Sequence, residues 1–301
     1  MLLTIAVSYL LSANCNNELL IFDQIKNLEK YIPEASYNLI DVVYIIQSGE
    51  IKRFEKLKEN LEKKDLRLRI SFIYGGKKGV AKSRNIAIKE SNSKFLLFFD
   101  LDCKFNREIS DFLNYLNSTK TETKYIFFSK DINYKSESLS YLPTINKIAI
   151  LPGIIYDFVF ASIAIIKSPT YNIIVNPYFC RQNNICFDPN LGLGSYYRQS
   201  DEALFLIKLF KSLIKNKLKF SNFYLADIVD AESKSHEIKN ELFYSLQSKG
   251  YVLRKGFSIF LGILFILPVS IIFAVKFYKF KNPFFTIFFV LKGFIKPRNF
   301  N

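Results

Sequence analysis

The 301-residue chain has little from which to build a disulfide framework or a soft-metal centre: four cysteines, a single histidine and no CxxC pair. Cys15, Cys103, Cys180 and Cys186 stand in apolar or mixed surroundings, the setting of reduced structural thiols. Helix-turn-helix, zinc-finger and aromatic RNA-binding signatures are also missing, so nucleic acid is the weaker partner class. Acids are scarce, 27 against 42 Lys and Arg, which gives a formal charge of +15 and a pI near 9.4. That imbalance calls for an anionic partner, phospholipid or a phosphorylated substrate. There is no internal repeat or low-complexity tract. The N-terminus has no basic region, and its apolar run is too short for a signal peptide. Against these absences stand a hydrophobic content of 50% and 31 phenylalanines, enough for a substantial core and incompatible with disorder.

Apolar runs at 2–8 and 40–47 read as parallel strands, with a helical stretch near 17–31 between them. A charged helix over 50–64, a third strand over 66–74, a Gly-rich loop and a helix over 80–90 follow. The alternation predicts an α/β doubly wound sheet with right-handed crossovers. The next strand, Phe95-Leu-Leu-Phe-Phe-Asp100-Leu-Asp102, is a buried parallel run that ends abruptly in two acids. Ligands of open α/β sheets sit at that edge. Side chains two apart share a face, so Asp100 and Asp102 offer two hard oxygen ligands to one Mg²⁺ or Mn²⁺ that holds a diphosphate. Strand-like runs at 124–129 and 158–166 lie in a looser region. Beyond them a Gly-punctuated loop, 185–194, leads to Asp201-Glu202 and an apolar-striped helix over 203–214. Acids in a first helical turn also have a capping explanation.

These motifs occur in a family-like order. Gly79-Val80-Ala81-Lys82-Ser83-Arg84-Asn85, Phe99-Asp100-Leu101-Asp102, Phe187-Asp188-Pro-Asn-Leu-Gly192-Leu-Gly194 and Asp201-Glu202 resemble, in order and spacing, the elements of family 2 glycosyltransferases. The resemblance is to bacterial enzymes of O-antigen and capsular polysaccharide synthesis. It covers roughly residues 1–255 and implies the GT-A nucleotide-diphospho-sugar transferase fold, a doubly wound mixed sheet. It also implies an inverting, metal-dependent transfer of sugar from a nucleoside-diphosphate donor. On this reading Asp100, Asp102 and, as a third ligand, His236 hold Mn²⁺ or Mg²⁺. Lys82, Arg84 and Asp100 contact the nucleotide or diphosphate, and Gly192 and Gly194 let a loop approach the sugar. Asp201 or Glu202 is the base. Two departures stand out: Ile46-Gln47-Ser48-Gly49 supplies no carboxylate for the nucleotide base, and the acidic pair is reversed. A nucleotidyltransferase, or a non-catalytic membrane-surface binding protein on a degenerate scaffold of this type, are the competing readings.

The C-terminal end differs in character. Gly256 to Val275 is uncharged and about twenty residues long, enough to cross a hydrocarbon core. Pro283 to Leu291 is a second, shorter apolar run. Lysines and arginines flank both, which fits a re-entrant or in-plane anchor as well as a span; a buried core helix is the competing explanation. The expected division is a transferase domain over 1–248 and a membrane-associated helical segment over 249–301. The expected setting is the cytoplasmic face of the cell membrane, with phospholipid and a lipid-linked glycan acceptor as partners.

Overall fold

A computed structural model describes residues 1–10, 17–47, 51–64, 66–76, 78–100, 103–105, 108–118, 126–129, 173–197, 199–216, 224–225, 229–231, 239–276 and 283–295. Strands β1 (Leu3–Leu10), β2 (Ile40–Gln47), β3 (Arg69–Gly76) and β4 (Phe95–Asp100) run parallel. Helices α1 (Asn17–Tyr31), α2 (Ile51–Glu62) and α3 (Val80–Glu90) lie between them in sequence. Next come β5 (Cys103–Phe105), α4 (Glu108–Ser118), β6 (Ile126–Ser129), β7 (Ile173–Val175), α5 (Pro177–Gln182) and α6 (Asp201–Lys215). The remaining elements are β8 (Tyr224–Leu225), β9 (Val229–Ala231), α7 (Lys239–Gly256), α8 (Ile259–Lys276) and α9 (Pro283–Ile295). The main sheet has the order β3-β2-β1-β4-β7-β6-β8, and β5 and β9 form a separate two-stranded ladder. Because β7 runs antiparallel to both β4 and β6, the sheet is mixed. The expected strand at 158–166 lies outside the described residues.

Side-chain alternation divides the core into two layers. Phe95, Leu97 and Phe99 of β4 join Ile5, Val7, Tyr44 and Ile46 in one cluster, where residues of α1, α2 and α4 also pack. Leu96 and Phe98 point the other way, with Ala6, Ile45 and residues of α3, α6 and α7. Asp100 continues the even-numbered set, so the pleat aims it at the α3 and α6 side. The end of β4 is pinned from the opposite side. Buried Gln24 donates to the Asp100 carbonyl at 2.9 Å, and Tyr44 Oη donates to Gln24 Oε1 at 2.9 Å.

The C-terminal helices are not a separate appendage. Helix α7 runs straight through the 248/249 boundary, and Tyr251, Val252 and Leu253 belong to the same core cluster as Leu96 and Phe98. The apolar run at 256–275 divides between the end of α7 and α8. Among the described residues no helix is long and apolar enough to cross a membrane, so the spanning form of the expected anchor is not found. One side of α8 instead meets protein: Phe265, Ile266 and Val269 are buried in the core cluster.

Helices α7 and α9 cross with backbones in contact. A β-carbon on Gly250 would fall on the carbonyl of Val290, and one on Gly293 on the carbonyl of Gln247. Gly250→Ala should therefore force the helices apart and lower the unfolding free energy in urea by about 1–3 kcal/mol. Gly256→Ala should lower it less, because its added carbon meets side chains and not backbone, Ile207 at 3.2 Å and Leu204 at 3.6 Å.

Candidate active site

The acids from the end of β4 and the start of α6 meet around one cation. Arg84, in the second turn of α3, is buried, and its guanidinium pairs with Asp201, with Glu202 Oε1 at 3.5 Å and with Asp100 Oδ1 at 3.5 Å. Asp201 is almost wholly enclosed, whereas the side chains of Glu202 and Asp100 keep 23% and 37% of their surface exposed. Burial and the neighbouring Glu202 charge push the Asp201 carboxyl up to about 7, with Arg84 pulling the other way. The three carboxylates in turn outweigh burial at Arg84 and raise its pKa.

An aromatic floor supports this cluster. Phe187 stacks on Phe205 of α6 with ring centroids 4.0 Å apart, and Phe98 of β4 meets Phe187 edge-on at 5.1 Å. The Arg84 guanidinium lies 5.5 Å from the centre of the Phe187 ring. Asn85 fixes Phe187 through its backbone: Phe187 N donates to Asn85 Oδ1 at 2.8 Å, and Asn85 Nδ2 donates back to the Phe187 carbonyl at 2.9 Å. Consecutive residues of one motif thus hold two others, Arg84 the acids and Asn85 the 187 loop.

The glycine loops interlock in the same way. Gln47, at the end of β2, donates to the Gly79 carbonyl at 2.8 Å and accepts from Gly79 N at 3.2 Å. Where the sequence pattern leaves a carboxylate out, an amide that both donates and accepts ties β2 to the start of α3. Val80 N donates to the Leu193 carbonyl at 3.0 Å, so this amide of the helix start is already engaged by protein. Gly192 has φ +87°, and a β-carbon there would lie 2.9 Å from Asp201 Cγ and 2.6 Å from Val80 Cγ1. Gly194, at φ +85°, would bring one to 3.0 Å from Gly79 N. Both residues press the loop onto the α3 start beside the buried acid.

A second support comes from α7. Ser200, just before the acids, adopts φ +72°, a strained conformation for a residue with a side chain. Buried Lys249 donates to Ser200 Oγ at 2.7 Å, and Ser248 Oγ lies 2.8 Å from the same oxygen. Tyr251 Oη donates to Asp188 Oδ2 at 2.9 Å; burial and the Asp188 charge raise its pKa. Nothing in the sequence pattern marks Lys249, Ser200 or Tyr251, because their partners lie 48 to 63 residues away.

Of the residues singled out from the sequence, Arg84, Asp100, Asp201 and Glu202 come together. Lys82 is exposed on the first turn of α3, its stem over Gly79. Asp102 and His236 lie outside the described residues. Among the described residues no three acids, histidines or cysteines form a group able to hold a metal ion. A Mg²⁺-like ion is commonly held by one or two carboxylates and substrate phosphates, and the half-exposed Asp100 fits that use. Cys180 and Cys186 are free thiols.

The model of glycosyl transferase family 2 matches residues 23–173, half of the chain, and the chain belongs to that family. No curated protein matches it in sequence. Many solved structures share the fold, and two of them serve for comparison. One is residues 1–349 of S. aureus TarS: 17% identity, TM-score 0.50, covering 84% of this chain and 65% of that one. The other is the mannosyltransferase PcManGT from Pyrobaculum calidifontis, solved with GDP-Man and Mn²⁺: 13% identity, TM-score 0.51, covering 84% and 63%. The chain therefore spans less than two thirds of either solved protein, and at these identities the likeness shows the mixed α/β fold alone.

Arg84→Met would leave three carboxylates without their shared counter-charge. Arg84 lowers the Asp201 pKa, so without it the carboxyl titrates above the parent's value of about 7; below that raised pKa Asp201 takes up a proton and relieves the repulsion, and above it the charge stays. The expected loss of stability, about 3–5 kcal/mol for a broken buried pair, should be full above that pH and smaller below it. Denaturant melts of parent and variant across the range measure this.

Proposed function

We propose that the chain transfers a sugar from a nucleoside-diphosphate donor to an acceptor hydroxyl, with inversion at the anomeric carbon. The observation that carries this reading is the convergence of Asp100 with Asp201 and Glu202 around Arg84. An inverting transfer needs an acid end that faces the donor diphosphate and a base that faces the acceptor, a few ångströms apart.

The two members of the helix pair divide the work. Asp201 is enclosed and held by Arg84, so it positions; Glu202 has the exposed carboxylate and is the base that takes the acceptor proton as the hydroxyl attacks. Lys82, exposed at the start of α3, supplies positive charge for the diphosphate. Arg84 acts behind the acids and holds their spacing instead of reaching the diphosphate. A divalent cation, Mn²⁺ or Mg²⁺, held by Asp100 and Asp102 with His236 as a third candidate, would neutralise charge on the leaving diphosphate. The GDP-Man and Mn²⁺ bound by the Pyrobaculum enzyme support that donor class and that ion type. The acceptor we propose is a lipid-linked glycan of O-antigen or capsular type, at the cytoplasmic face of a bacterial membrane. The basic, acid-free C-terminal stretch and the family resemblance support it.

Kinetics with a matched donor test the division of roles. Glu202→Gln should lower kcat by roughly 10²–10⁴-fold with little change in donor KM. Asp201→Asn should lose stability along with activity. Parental turnover in Glu202→Gln, with the large kcat loss in a well-folded Asp201→Asn, would move the base to Asp201. The product should be a nucleoside diphosphate; pyrophosphate released from a nucleoside triphosphate would instead make the chain a nucleotidyltransferase.

A further inference from the structure

The outer faces of α8 and α9 carry apolar side chains that the protein leaves uncovered. On α8, Ile259, Phe260, Ile263, Leu264, Leu267 and Ile271 are exposed, Phe260 by 70%. Their spacing of three and four residues makes one continuous stripe along the helix. On α9, Phe288, Leu291 and Ile295 are exposed, Ile295 by 63%. The two helices are packed together at Gly262, where an added β-carbon would meet the Phe294 ring, so the stripes belong to one C-terminal unit. The opposite side of α8 is already buried in the core. This is the reverse of a soluble surface helix, which turns its polar side outward.

Charge indicates what covers it. After Glu241 the chain has nine Lys and Arg residues and no acid. Lys255 and Lys292 are exposed; Arg254, at the end of α7, lies 5.9 Å from the Phe294 ring. An apolar stripe beside a one-signed set of cations is the pattern of a helix lying in the plane of an anionic bilayer. A second copy of the same surface would bring like charges together, which disfavours self-association.

We infer that the α8–α9 face docks in the plane of an anionic phospholipid bilayer, its apolar stripe among the acyl chains and its lysines at the headgroups. The placement deepens the proposed use of a membrane-bound acceptor and rests on it for purpose, although binding is measured without donor or acceptor. Helix α7 then links the membrane to chemistry: it packs against α9 and sends Lys249 to Ser200, one residue before the acids.

Sedimentation of the full chain with vesicles tests this. The chain should sediment with vesicles of equal parts phosphatidylcholine and phosphatidylglycerol, far less with phosphatidylcholine alone, and less as salt rises. Phe260→Ser with Leu264→Ser should weaken partition roughly a hundredfold, about tenfold for each side chain withdrawn from the acyl layer. Tyr178→Ser, on α5, is equally exposed and should change nothing. The docking is overturned if the parent stays in solution with anionic vesicles or the double variant sediments as the parent does. It is also overturned if the parent is a dimer that the double variant dissolves, which would assign the face to a second copy. Vesicle binding without turnover of any sugar donor would count against the transferase reading and leave the docking supported.

Discussion

The site depends on a single buried cation. Arg84 is placed by a short helix between the third and fourth strands, yet it joins a carboxylate at a strand end to two at the start of a helix more than a hundred residues later. Three acids gathered in a partly buried space repel one another, and without a fixed positive charge the cheapest outcome is protonation or separation. With Arg84 in place the three carboxylates share one counter-charge, which pulls against the burial and the Glu202 charge that raise Asp201. Asp201 is consumed in that pairing, and Asp100 and Glu202 keep surface for a ligand.

The remaining architecture serves that arrangement. Asn85 and Gln47 use paired amide hydrogen bonds to lock the 187 loop and the α3 start, so both loops bordering the acids are tied at their backbones. Phe98, Phe187 and Phe205 bring the strand, the loop and helix α6 into one aromatic contact below them. Helix α7 closes the assembly from the C-terminal side through Lys249 and Tyr251.

Much of the sheet was legible in the sequence. Buried parallel strands are continuous apolar runs, and β1, β2, β3 and β4 fall within a few residues of the runs at 2–8, 40–47, 66–74 and 95–100. The motif residues Arg84, Asp100, Asp201 and Glu202 were legible as a set, but the pairing inside the set was not. Periodicity reports which face a residue occupies, not which distant residue it meets. Gln47 read as a missing carboxylate because its use as a clamp on Gly79 is visible only in three dimensions. The C-terminal apolar run was ambiguous for a different reason. A helix buried on one side by protein and bare on the other has the same composition as one surrounded by lipid. Only the packing of Phe265, Ile266 and Val269 separates the two.

The central claim is that the acids joined by Arg84 form one binding site for an activated sugar. Calorimetric titration of the full chain with a panel of nucleoside-diphosphate sugars, each with Mn²⁺ present, tests it most directly. The account predicts that one donor binds at a single site, that chelating the ion abolishes the heat, and that Asp100→Asn loses it while keeping the parent's fold. A chain that binds none of the panel, or an Asp100→Asn variant that binds donor and ion as the parent does, would contradict it.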